Sequence, residues 1–181
     1  MSSERRVTGV VLAAGAGTRF GMPKVLAAQG VWLRQAISAL AGGGCDDVVV
    51  VLGAAVVDVP APARAVLAPD WSDGMSASLR AGLAAATGAR GVVLHLVDTP
   101  DVGADVVRRV LASDAELARA VYRGRPGHPV YIGAAHWPAL IAGLSGDQGA
   151  RVFLSGREDV VTVECGDLAT GADIDTPEAM R

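Results

Sequence analysis

A mainly parallel α/β sheet is the fold class this sequence predicts, and three observations point to it. Short β-branched runs alternate along the chain with amphipathic helical stretches. Two runs, Val48-Val49-Val50-Val51-Leu52 and Val92-Val93-Leu94, are continuously apolar, as strands covered on both faces are. The glycine-rich and acidic segments follow strands, and such sheets collect ligands at strand carboxyl ends.

In chain order, Val7–Ala13 is an apolar strand that Gly15 stops, and Leu33–Ala41 carries helical periodicity. Asp47–Leu52 is a second buried strand. Val56 to Ala63, with Pro60 and Pro62, reads as a surface loop before a short strand at Arg64–Leu67. Gly74 and Ser76 introduce a helix over Ser76–Ala86, with Ser76 as a candidate N-cap. A strand at Gly91–Val97 and a helix at Ala104–Ala112 follow, then strands at Arg119–Tyr122 and Val130–Ile132. Arg123 to Pro129 reads as a rigid basic loop between them. Helices at Ala135–Ala142 and near Gln148–Leu154, then a strand at Val160–Val163, complete the pattern. No repeat or linker divides it, so residues 1–181 are expected to form one domain.

Composition narrows the function classes. Hydrophobic residues make up 51% and mean hydropathy is +0.37, which excludes a disordered chain. No apolar stretch reaches the ~20 residues that cross a bilayer, and the N-terminus lacks a secretory cleavage pattern. A net charge of −3 argues against broad nucleic-acid binding. Cys45 and Cys165 have no C-x-x-C spacing and read as free thiols, placing the chain in the cytoplasm. The histidines and cysteines show no zinc-ligand spacing.

The 16 Lys and Arg residues include a single lysine, Lys24. It closes Leu12-Ala13-Ala14-Gly15-Ala16-Gly17-Thr18-Arg19-Phe20-Gly21-Met22-Pro23-Lys24, directly after the first strand. Gly15 and Gly17 let backbone N–H groups approach a phosphate, and a lysine supplies a compact point charge. Two known glycine signatures fail here. A P-loop needs G-x-x-x-x-G-K-[ST], and a dinucleotide fingerprint needs G-x-G-x-x-G where this chain has G-x-G-x-x-x-G. What remains is a loop offering backbone donors, Arg19 and Lys24 to three phosphates; a tight turn with two solvated bases is the alternative.

Asp98 ends an apolar strand in Leu96-Val97-Asp98-Thr99-Pro100, and Asp173-Ile174-Asp175-Thr176-Pro177 repeats Asp-Thr-Pro. Carboxylates at such positions are costly unless they meet a cation, and Mg²⁺ takes one or two of them plus phosphate oxygens. Helix capping is the competing reading for Asp98 and Asp175. Asp173 ranks lower because an extended segment turns it to the opposite side. Gly74 permits close ligand approach, and Ser78 is placed to meet a base edge. Arg125 and His128, with Asp147 and Arg151 in Gly146-Asp147-Gln148-Gly149-Ala150-Arg151, are candidates for an acceptor; solvated loops are the alternative. Trp71 reads as a core or rim aromatic, His95 as a hydrogen-bonded core histidine and His136 as a surface residue.

Together these motifs resemble the MobA-like nucleotidyltransferases, closest to the molybdenum-cofactor cytidylyltransferase branch. The likeness runs from Leu12–Lys24 through Gly74–Leu79, Leu96–Pro100, Arg125–Pro129 and Gly146–Arg151 to Asp173–Pro177. It implies a Rossmann-like three-layer sandwich of the nucleotide-diphospho-sugar transferase type, a nucleoside triphosphate and Mg²⁺. By motif, Leu12, Ala13, Ala14, Gly15, Gly17, Arg19 and Lys24 would hold the nucleotide, and Gly74 and Ser78 its base or ribose. Asp98 and Asp175 would bind metal; Arg19, Lys24 and Asp98 would be catalytic. Guanylyl enzymes tend to carry glycine where Ala14 stands, so the resemblance favours CTP. One departure is Ala68-Pro69-Asp70, where the family often has asparagine.

The expected reaction is attack by an acceptor phosphate, molybdopterin's by resemblance, on the α-phosphorus of CTP with loss of pyrophosphate. A molybdoenzyme would receive the product. GTP or sugar-phosphate transfer, and a nucleotide- or cofactor-binding chaperone without turnover, stay open. No nucleic acid or membrane partner is expected.

Overall fold

A computed structural model describes residues 6–176. Seven strands form one sheet: β1 (Val7–Ala13), β2 (Asp47–Leu52), β3 (Arg64–Leu67), β4 (Gly91–Leu96), β5 (Leu117–Tyr122), β6 (Arg125–Gly133) and β7 (Val161–Glu164), in the order β3-β2-β1-β4-β6-β5-β7. All neighbours are parallel except β6, which runs against both β4 and β5. β1 is central, with Val10 facing Val49 on one side and Leu94 on the other.

Each face is covered by helices because the central strands β1, β2 and β4 are buried on both sides. On one face Leu33, Ile37 and Leu40 of α1 (Val31–Gly42) and Val106, Val107 and Val110 of α3 (Ala104–Ala112) pack against Val11, Val50 and Val93. On the other, Leu79 and Leu83 of α2 (Met75–Ala85), Leu140 of α4 (Trp137–Ala142) and Leu154 of α5 (Ala150–Leu154) cover Val10, Val49 and Leu94. Fully buried leucines such as Leu40 and Leu79 each contribute roughly 1.5–3 kcal/mol of apolar burial. The α/β, mainly parallel, three-layer expectation is met.

Some local readings are corrected. The basic segment read as a loop is mostly strand: Arg123 (φ 52°) and Gly124 (φ 77°) make so tight a turn that Arg125 already pairs with Tyr122. Ser76 does not cap α2. The helix begins at Met75 behind Gly74, and the Ser76 N–H donates to the Gly146 carbonyl at 3.1 Å. The Ala135–Ala142 helix divides into a 3₁₀ turn at Ala134–His136 and α4. Among the described residues, no helix is long and apolar enough to cross a membrane.

This topology gathers the carboxyl ends of β1, β2, β3, β4, β5 and β7 and the start of β6 along one edge of the sheet. The candidate chemistry lies there.

Candidate functional site

After β1, the loop is shaped by Gly17 and anchored by Phe20. Gly17 has φ +65°, a Cβ there would collide with the Met22 carbonyl, and its own carbonyl accepts the Gly21 N–H at 2.8 Å. Phe20 is buried against Trp32, ring centroids 5.5 Å apart, which leaves Arg19 exposed. The chain then delivers Lys24 under the end of β4.

Lys24 Nζ donates to Asp98 Oδ2 at 2.7 Å and to Asp175 Oδ1 at 3.1 Å. Burial pulls the ammonium pKa down, but the two carboxylates outweigh it and hold it above the ordinary lysine value. Burial pushes the Asp98 carboxyl up, with Lys24 opposing and Asp173 and Asp175 adding to the rise. The Lys24 hydrogen bond holds exposed Asp175 below the usual carboxylate range. Oxygens of Asp98, Asp173 and Asp175 lie within 4.8 Å of one another. Asp173 thus joins the group against the sequence expectation, because the Ile174 N–H donates to the Asp98 carbonyl at 2.9 Å and folds the tail over β4. Asp98 is no helix cap: α3 begins at Ala104 behind Gly103. A helix start after Asp175 falls outside the described residues.

Three carboxylates against one lysine leave surplus negative charge, and Asp98 Oδ1 is buried without a hydrogen-bond partner. An all-oxygen set with an orphaned carboxylate oxygen fits a hard divalent cation.

Beside this cluster is a cavity of about 350 Å³ lined by Leu12, Ala14, Gly15, Trp71, Gly74, Ser78 and Asp147. Ala14 lines it from the core on the α2 side, whereas Ala13 belongs to the opposite core. Gly15 has open space where a side chain would stand. Gly74, at φ +108°, could carry no Cβ: it would approach Asp147 Oδ1 and the Gly146 carbonyl to 2.5 Å each. The Gly146–Asp147 loop is therefore a wall of this cavity.

A second cavity, about 680 Å³, opens on the other side of the acids, between the β5–β6 turn and the tail. Tyr122, Arg123, Arg125, Thr170 and Asp173 line it. Glu164 knits it together by accepting the N–H groups of Arg123 (3.1 Å), Gly124 (2.9 Å) and Gly166 (2.7 Å), which also lower its pKa. The four acceptor candidates are therefore dispersed. Arg125 lines the large cavity, Asp147 the smaller one, and His128 and Arg151 lie with Arg119 on the α5 side. Sequence reasoning missed Arg119, which looks like an ordinary strand residue, and Glu164.

A phosphate-approachable glycine loop, one lysine and a carboxylate cluster on a mainly parallel sheet define a nucleotide-handling α/β protein. Residues 9–161 match the MobA-like NTP transferase domain, and the chain belongs to that family of nucleotidyltransferases. It is 41% identical over 192 aligned residues to nicotine blue oxidoreductase of Paenarthrobacter nicotinovorans, covering 96% of this chain and 94% of the relative. Among solved structures it resembles the Rv0371c homologue from Mycobacterium sp. strain JC1 (30% identity, TM-score 0.77, 99% of this chain and 94% of the other). It also resembles Rv0371c of Mycobacterium tuberculosis H37Rv in complex with manganese (27% identity, TM-score 0.68, 93% and 94%).

Proposed function

We propose that this protein transfers CMP from CTP to a phosphate-bearing acceptor, molybdopterin first among candidates, with release of pyrophosphate. One observation carries the reading. A lone lysine is pinned between Asp98 and Asp175 beside a glycine-built cavity, and Asp98 keeps an unpartnered buried oxygen. The glycine loop, Arg19 and Lys24 hold the triphosphate, and the 350 Å³ cavity takes base and ribose, with the Ala14 methyl favouring a single ring. Asp98 and Asp175, joined by Asp173, would hold Mg²⁺. When bound, the cation neutralises phosphate charge and polarises the α-phosphorus. Arg125, in the wall of the 680 Å³ cavity, meets the acceptor phosphate beside the acids. Its oxygen forms a bond to the α-phosphorus as the α–β bridging bond breaks, and Lys24 and Arg19 take up charge on the departing pyrophosphate. Positioning and charge neutralisation supply the rate. The product would pass to a molybdoenzyme in the cytoplasm.

The test is a pyrophosphate-release screen over CTP, GTP, ATP and UTP with Mg²⁺ and a panel of phosphorylated acceptors that includes molybdopterin. CTP with molybdopterin is expected to give the highest rate; a preference for GTP would overturn the Ala14 argument.

The likeness to nicotine blue oxidoreductase favours a second reading, in which the same cavity serves an oxidoreduction and not a nucleotidyl transfer. On that reading the protein would release no pyrophosphate with any nucleoside triphosphate in the same screen.

A further inference from the structure

Three basic side chains come together on the α5 side of the sheet. Arg119 of β5 faces Val130 of β6, which pairs on its other flank with Leu94 of β4. His128 precedes Val130 on β6, and Arg151 stands in the first turn of α5. The charges act on one another: Arg119 is lowered by burial and then by Arg151, and His128 is pushed to about 4 by burial and then by Arg119. Among the described residues, no acid pairs with any of the three, and Arg119 Nε is buried without a hydrogen-bond partner.

A half-buried guanidinium facing other bases, with no counter-charge, is unfavourable in the empty protein. Arginine's fork matches the oxygens of phosphate or carboxylate. The position also fits an extended ligand. Leu94 lies on β4 two residues before the strand ends at Leu96, and Asp98 follows in the turn just beyond. Asp147, in the wall of the nucleotide cavity, is four residues before Arg151. The triphosphate cradle is a different segment, Gly15 to Lys24.

We propose that Arg119, His128 and Arg151 form an oxyanion-binding site that receives a second anionic, oxygen-bearing group of the acceptor. The acceptor then carries two separate anionic groups: one phosphate reacts beside Asp98 and the second group anchors the far end. This rests on the transferase reading, because only a two-substrate reaction needs the anchor. Its test requires no turnover, so the two readings fail separately.

Inorganic phosphate is titrated into the full chain with saturating CTP and Mg²⁺, so that the cradle is occupied. Binding is followed by calorimetry and by the His128 imidazole NMR signals. Arg119→Gln and Arg151→Gln are each expected to weaken phosphate binding about tenfold or more, the loss of one charge-assisted contact. The His128 signals should move with phosphate in the wild type and stay still in Arg119→Gln. Without ligand, Arg119→Met should melt no lower than wild type, because it removes an uncompensated charge; a purely structural arginine would lower the melting point. A series of α,ω-alkane bisphosphates, titrated without CTP, identifies the source of the anion. One chain length should bind tighter than inorganic phosphate, and Arg119→Gln should abolish that gain. Unchanged phosphate binding in Arg119→Gln would overturn the site. Phosphate binding that depends on Arg119 with no gain at any length would overturn its assignment to the acceptor.

Discussion

Asp98 meets three influences that do not balance. Burial favours its neutral form, Lys24 its charged form, and Asp173 and Asp175 the neutral form again, leaving its pKa raised. A raised carboxyl contributes stability at low pH, and that contribution is lost as pH rises through the raised value. Asp98→Asn removes the charge while keeping the shape. Its melting temperature should match or exceed that of the wild type at pH 7, with the difference growing as pH rises from about 4. The same variant should lose the Mg²⁺-dependent part of CTP binding, because an amide is a poor partner for a hard dication. Calorimetric titration with and without Mg²⁺ checks this; an unchanged Mg²⁺ dependence would remove Asp98 from the metal site. Lys24→Ala should lower turnover about 100- to 1000-fold in a folded protein, the loss of one preorganised charge contact. Full activity in that variant would sink the assignment.

Among the elements, the turns into the helices set the cavity. Gly74→Ala places a methyl against Asp147 and the Gly146 carbonyl at a φ that side chains rarely adopt, so α2 must shift at its N-terminus. A loss of about 1–3 kcal/mol is expected, together with weaker nucleotide binding. Gly15→Ala meets no protein atom within 4 Å. Its urea midpoint should stay near wild type while CTP affinity falls, because the methyl occupies ligand space. Equal stability losses in the two variants would refute this division of roles. The same contrast shows what the sequence made legible. Continuous valine runs marked β2 and β4, and the glycines marked the cradle, since both signals are local. Three features depended on distant contacts. β6 was obscured by Gly127, Pro126 and Pro129, residues that usually signal loops, and becomes a strand through pairing with β4 and β5. Asp173 joined the acids only through the Ile174–Asp98 backbone bond. Arg119 becomes unusual only when Arg151 and His128 are brought beside it.

At the scale of the whole molecule, the sheet carries an acid-sensitive centre. His95 on β4 is 1% exposed and faces Val11 of β1, and its Nδ1 has no hydrogen-bond partner. Burial, then the charge of His128, lowers its pKa to about 3, and burial and then Arg119 lower His128 to about 4. Both are depressed below the unfolded value of about 6.5. Their neutral forms therefore contribute stability fully present above about pH 6.5, and it is lost as pH falls toward the folded values. For buried His95 the slope approaches 1.4 kcal/mol per pH unit. Urea midpoints measured from pH 7.5 to 4.5 should fall more steeply for wild type than for His95→Asn, which cannot take up the proton. Parallel curves would show that carboxylate titration alone governs acid unfolding. Because His95 stands on β4 three residues before Asp98, loss of the strand on protonation removes the centre of the sheet and the acid cluster together. The thermal shift caused by CTP and Mg²⁺ should therefore disappear in the same pH interval as the fold in wild type, and persist to lower pH in His95→Asn.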